Sequence, residues 1–113
     1  MSNLTPESLI GRTFDIVYDS EQSKDTYRFE VQSESKIKWE RISGNDVGKG
    51  DTEDYVITQL DPEKILITWI EADGLGLSNV LNFKAGTCLT HGNNGRSVWK
   101  HNGALSLVEK KDE

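Results

Sequence analysis

Residues 64–83 read KILITWIEADGLGLSNVLNF. Ile65, Ile67 and Trp69 recur at every second position, the period of a strand with one face turned to a core. Leu66 and Ile70 occupy the alternate positions, so the outer face is apolar as well. Ala72-Asp73-Gly74 carries turn chemistry, and a second apolar run ends on Leu81 and Phe83. The stretch therefore predicts the central hairpin of a small β-barrel. The carboxylate of Glu71 falls at the end of its first strand, at the mouth of an interior pocket.

Outward from the hairpin, the same period returns repeatedly. On the N-terminal side, Asp61-Pro62-Glu63 is a turn, preceded by a strand through Tyr55, Val56, Ile57 and Leu60. Residues 43–51, SGNDVGKGD, are the longest loop signal. Further back, three sets alternate: Ile37/Trp39/Arg41, Tyr27/Phe29/Val31 and Phe14/Ile16/Tyr18. Residues 5–11, TPESLIG, predict a short helical turn with Thr5 as N-cap, Pro6 first in the helix and Gly11 as the stop. Leu9 and Ile10 would be its buried side. On the C-terminal side, turns at 84–86, at Gly92–Gly95 and at Asn102-Gly103 separate three further short strands. About eight or nine strands result, at spacings of roughly 8–12 residues, with no long helical pattern. The predicted fold is all-β: one domain over residues 1–113, an antiparallel up-and-down barrel whose closure removes aggregation-prone edges. The ends, about 1–4 and 109–113, are expected to be solvated.

Composition narrows the partners. A net charge of −6 on 113 residues disfavours nucleic acid and anionic membranes. The N-terminus carries no basic and apolar leader, and no run approaches the roughly 18 apolar residues of a membrane span. One cysteine, Cys88, excludes an intrachain disulfide and fits a cytoplasmic location; it reads as a small buried hydrophobe. His91 and His101 lack a third ligand at useful spacing, so neither a metal nor a cofactor is expected. The glycine-rich residues 44–50 have the wrong spacing for a phosphate loop and lead into a strand.

In a closed barrel, alternate residues face inward. Besides the sets named above, Tyr55/Ile57, Ile65/Ile67/Trp69/Glu71 and Leu81/Phe83 are the inward candidates. Two of these positions carry charge. Glu71 facing the interior would lose water, rise in pKa and serve as an acid or base; at a strand end it would face solvent or pair with Arg41. Arg41 facing inward would attract a carboxylate; at a strand end it is solvated. Tyr18, Tyr27 and Tyr55 offer hydroxyls to a ligand or to the core. Trp39, Trp69 and Trp99 read first as core, with Trp39 and Trp69 also candidate walls of a pocket. On the outer face, Leu66, Ile70 and Val80 predict a homodimer contact.

LIGRTFDIVYD (9–19), YVITQLDPEKILITWIEADG (55–74) and LSNVLNF (77–83) resemble the MoaF-like and phenolic acid decarboxylase group of small lipocalin-like (calycin) barrels. The resemblance implies that fold and a ligand inside it. In the decarboxylases, two tyrosines of the first strand and a loop arginine hold a hydroxycinnamic acid, and a glutamate after the central tryptophan acts on its para-hydroxyl end. Tyr18 matches the second tyrosine and Ile16 stands in place of the first. Glu71 matches the glutamate, and the arginine position falls at Gly48 or Lys49. The resemblance thus implies Glu71 and Tyr18 as catalytic candidates. Together with the alternation, the expected ligand contacts are Tyr18, Tyr27, Trp39, Arg41, Lys49, Tyr55, Trp69, Glu71 and Phe83. Three functions follow: binding of an apolar or aromatic small molecule bearing a carboxylate or phenol, a phenolic-acid lyase using Glu71, or a non-catalytic homodimeric module.

Overall fold

In a computed structural model, which describes residues 5–19, 24–44 and 47–108, a short helix α1 (Pro6–Leu9) precedes β1 (Thr13–Asp19), β2 (Lys24–Val31), β3 (Lys36–Ser43) and β4 (Gly50–Asp61). The chain continues through β5 (Lys64–Ile70), β6 (Gly76–Asn82), β7 (Thr87–Asn94) and β8 (Ser97–Leu107). Each strand pairs antiparallel with the next, and β8 returns to β1, closing the barrel. The expected solvated ends and most of the polar turn after Asp19 lie outside the described residues.

The central hairpin forms as its period requires. Ile65, Ile67 and Trp69 are buried inside the barrel, and they sit opposite Leu81, Asn79 and Leu77 of β6. On the outside, Leu66 faces Val80 and Val80 faces Leu89, while Ile70 is 67% exposed. Among the described residues, Phe14, Ile16, Phe29, Val31, Ile37 and Leu105 complete the apolar interior.

Alternate connections of a meander emerge at opposite ends. The β2–β3, β4–β5 and β6–β7 turns share the end occupied by α1. There Gly11 N–H donates to the Val31 carbonyl at 2.7 Å, and Leu9 is fully buried. The helix is held by a reciprocal cap: Ser8 N–H donates to Thr5 Oγ1 (3.2 Å), and Thr5 N–H donates to Ser8 Oγ (2.8 Å). Such a cap contributes about 0.5–2 kcal/mol, and burying Leu9 about 1.5–3 kcal/mol. Ile10, expected beside Leu9 in the core, is instead the extended C-cap and is exposed. This end of the barrel is plugged.

Three strand boundaries differ from the sequence reading, and each involves glycine. Asn102-Gly103 is not a turn; β8 runs straight through it, so the described residues hold eight strands, within the expected eight or nine. Gly103 pairs with Tyr18 on one side and Cys88 on the other. A β-carbon there would lie 2.7 Å from Ile16 Cγ2 and 3.3 Å from Tyr18 Cδ1, so the glycine serves close approach. Likewise Gly92 stays inside β7, with the Trp99 indole over it, and the turn narrows to Gly95-Arg96, where Gly95 has a positive φ of 61°. At the other long loop, β4 starts at Gly50 rather than near Tyr55, which turns Glu53 inward. No helix among the described residues is long and apolar enough to cross a membrane.

Candidate functional site

At the end opposite α1 the barrel opens into a cavity of about 310 Å³. That volume lies at the lower edge of ordinary small-ligand sites. Its floor and one wall are aromatic, because inward positions of β2, β3 and β5 place Tyr27, Phe29, Trp39 and Trp69 side by side. Phe29 and Trp69 have ring centroids 5.5 Å apart, and Tyr27 and Trp39 6.2 Å apart. The Arg41 guanidinium lies over the Tyr27 ring, 4.8 Å from its centroid, and donates to the Tyr27 hydroxyl. Stacking of this kind contributes about 0.5–2 kcal/mol and holds the guanidinium at the rim.

The mouth carries charge of both signs. Arg41 and Lys49 face Asp25, Glu71 and Asp73 around the opening. Glu71 is half-buried at the end of β5, and its Oε2 accepts from Trp69 Nε1 at 3.3 Å. Loss of water pushes its carboxyl above the ordinary range. The Trp69 hydrogen bond opposes that rise, the nearby Glu53 and Asp73 carboxylates add to it, and Lys49 opposes it. A parallel pair lies beneath: Trp39 Nε1 donates to the buried Glu53 at 3.0 Å.

The opposite wall is a chain of polar groups. Tyr18 reaches from β1 across side-chain-free Gly103 to β7, where its Oη lies 2.7 Å from Thr90 Oγ1. Thr90, 3% exposed, donates to Asn79 Oδ1 at 2.7 Å. Asn79, 2% exposed, donates through Nδ2 to the Ile67 carbonyl at 3.2 Å. Cys88 Sγ lies 3.4 Å from Thr90 Oγ1. Burial pushes the Tyr18 phenol well above its usual value; Cys88 adds to the rise, and the Thr90 hydrogen bond opposes it. Burial likewise raises the Cys88 thiol, with the Thr90 and Tyr18 hydrogen bonds opposing. Both groups are therefore held protonated at neutral pH.

Of the residues singled out from sequence, the structure brings Tyr18, Tyr27, Trp39, Arg41, Lys49, Trp69 and Glu71 to this cavity. It does not bring Tyr55 or Phe83. Tyr55 points inward but toward the plugged end, where its hydroxyl donates to the Ser33 carbonyl at 2.7 Å. Phe83 packs edge-on against Phe14, at 5.6 Å between centroids, in the same region. Ile16, in the place of the first tyrosine, is 1% exposed and part of the core. Eight lining residues were not among the expected contacts: Asp25, Phe29, Asp73, Leu75, Leu77, Thr90, Trp99 and His101. His101 lies edge-on to Tyr18, with centroids 6.2 Å apart. The available signal was polarity on an inward period, since Asn79 and Thr90 each fall two residues from a buried apolar neighbour. As chemistry, the site offers one carboxyl inclined to keep its proton, two cations at the rim and a neutral phenol.

The structure is similar to a crystal structure from Burkholderia vietnamiensis described as a "putative beta-lactamase": TM-score 0.78 and 22% identity, over 88% of this chain and 95% of that one. At that identity the likeness concerns the fold. No match was found among curated proteins. A sequence model of the family described as MoaF-like matches residues 10–105, a span running from the end of α1 through most of β8. This closed antiparallel barrel, consistent with a lipocalin-like (calycin) assignment, belongs to the MoaF-like family.

Proposed function

We propose that the barrel binds a small ring-bearing molecule in its open end, with an acidic group at the rim and a phenol or similar polar group deeper in. The observation that carries this reading is the cavity itself: four aromatic rings form one side, and Arg41 and Lys49 stand at the mouth. All three tryptophans of the chain, Trp39, Trp69 and Trp99, line it, so emission from the protein reports on its contents. Titration with small aromatic acids such as 4-hydroxyphenylacetate is expected to change that emission saturably, and Arg41→Gln is expected to weaken the response. An unchanged emission spectrum with such acids into the millimolar range, together with native mass spectra free of any bound small molecule, overturns the reading.

A second reading is a lyase acting on a phenolic acid, with Glu71 as the proton-transfer group. It is favoured by the desolvated Glu71 carboxyl sharing one cavity with Lys49 and Arg41. Loss of p-coumarate or ferulate absorbance with pure protein, abolished in Glu71→Gln, is the expected result. No turnover removes the idea. A homodimer through the outer face of β5–β7 is the third reading, supported by Leu66, Val80 and Leu89 lying in register beside exposed Ile70. A monomer by sedimentation at micromolar concentration refutes it.

A further inference from the structure

We infer that Tyr18 meets the ligand as a hydrogen-bond acceptor, that its own proton is held in the barrel wall by Thr90 and Asn79, and that this relay selects ligands presenting a donor to it. The inference rests on the ligand-binding reading above and adds the polarity of one contact.

The direction of the relay follows from its far end. The Ile67 carbonyl only accepts, so the Asn79 amide must turn its Nδ2 toward it, at 3.2 Å. Asn79 Oδ1 then faces Thr90 and can only accept. Thr90 has a single hydroxyl proton, and it goes to Asn79 at 2.7 Å. The 2.7 Å contact between Tyr18 Oη and Thr90 Oγ1 must therefore be donated by Tyr18. The neighbouring Cys88 sulfur does not release it: a thiol within this cluster donates to, or accepts from, the same hydroxyls and leaves the phenolic proton inside the wall. Tyr18 lines the cavity, and what its oxygen retains on that side is lone-pair density. The raised phenol pKa agrees, since a phenolate would break the relay at its first link. A tyrosine so arranged is a poor clamp for a carboxylate and a good partner for a hydroxyl or N–H. Asn79 does not touch the cavity, so its part is to position the relay.

Two probes separate these roles: 4-hydroxyphenylacetate, which can donate, and 4-methoxyphenylacetate, which can only accept. Their dissociation constants are measured by tryptophan emission in the wild-type protein and in three variants. The wild type is expected to prefer the hydroxyl probe roughly five- to tenfold, the worth of one neutral hydrogen bond. Thr90→Val removes the acceptor and frees the Tyr18 proton. Asn79→Leu lets Thr90 turn its proton back to Tyr18, with the same result. In both variants the methoxy probe is expected to gain and the preference to shrink toward unity, while Thr90→Ser keeps the wild-type ratio. The steric cost of the methyl group is common to all four proteins and cancels in the comparison. A merely structural role for Thr90 or Asn79 would weaken both probes alike. In the free protein, NMR is expected to show a slowly exchanging Tyr18 hydroxyl proton close to Thr90, lost in Thr90→Val. Absence of that proton overturns the inference whatever the probes do. Binding with a probe ratio unchanged within twofold in both Thr90→Val and Asn79→Leu also overturns it, and leaves the ligand reading intact. Failure of both probes to bind, with the hydroxyl proton present, overturns the ligand reading instead and takes the selectivity claim with it.

Discussion

Replacing Asn79 by leucine tests whether the buried relay is a coupled unit or a set of separate contacts. Leucine approximates the asparagine shape, so the perturbation is chemical. In the variant the Thr90 hydroxyl, 3% exposed, loses its acceptor, and the hydrogen bond to the Ile67 carbonyl is lost as well. Leaving a buried polar group unpaired costs about 1–3 kcal/mol. Thr90 can swing its proton to Tyr18 Oη, which lies within reach, so the expected cost is near 1–2 kcal/mol by the same principle. Thr90→Val strands Asn79 Oδ1 instead and is expected to cost about 1–3 kcal/mol. The double variant has no stranded group between the two positions, and Tyr18 can turn to cavity water. Its cost is therefore expected to fall below the sum of the singles by about 1 kcal/mol or more. The assay is urea unfolding followed by tryptophan emission, read as midpoint shifts at constant m. Thermal midpoints should move by roughly 3–6 °C per kcal/mol for a chain of this size. Single costs below about 0.5 kcal/mol, or additivity within about 0.5 kcal/mol, would refute the coupling.

Other substitutions probe the frame and the rim. Leu9→Ala opens the plugged end and is expected to destabilise by about 2–5 kcal/mol in the same urea assay; a loss under 1 kcal/mol would mean the helix is dispensable. Gly103→Ala places a methyl group 2.7 Å from Ile16 Cγ2 and 3.2 Å from the Val17 carbonyl, so a loss of about 1–3 kcal/mol is expected. The methyl group should also displace the Tyr18 ring, visible as a changed Tyr18 hydroxyl signal. Because the Glu71 carboxyl is raised on folding, the native state holds its proton more tightly than the unfolded chain between the ordinary carboxylate range and the native value. Its contribution to stability is thus fully present at acid pH and lost as pH rises through that window. Glu71→Gln is accordingly expected to gain stability relative to wild type at pH 7 and to lose that advantage near pH 4, and an equal difference at both would contradict the assignment.

The barrel was legible because apolar alternation needs no knowledge of neighbours. Ile65, Ile67 and Trp69 announce a strand wherever they are placed. Glycine has no such independence. Gly103 in a turn and Gly103 under Tyr18 look the same in the sequence, since the close approach involves residues 85 positions or more away along the chain. Glu53 was hidden for a related reason: Gly50 and Asp51 read as loop and strand character resumes in the sequence only at Tyr55, and it is pairing with β3 that makes residues 50–54 strand. Alternation also says which residues face inward but not at what height. Tyr55 and Trp69 are paired neighbours, yet the Tyr55 hydroxyl reaches Ser33 at the plugged end while Trp69 lines the opening. Height is fixed by strand stagger and by hydrogen bonds beyond the strand, so Tyr55 and Phe83 could not be separated from the true cavity wall. The Tyr18–Thr90–Asn79 relay spans three strands and left only a faint local trace.

A barrel plugged at one end divides its loops into two trades. Among the described residues, 47–49, 71–75 and 95–96 connect strands at the open end, whereas the β2–β3, β4–β5 and β6–β7 connections lie at the end that carries the helix. On the proposed ligand-binding reading, length or charge changed in the first group is expected to alter what is admitted and to leave Leu9 and its surroundings untouched. Changes in the second group spend themselves on how firmly the vessel is sealed. The proposed selectivity and the durability of the barrel would in this way be carried by alternate stretches of one chain, and a library confined to residues 47–49 and 71–75 would vary the first while holding the second constant.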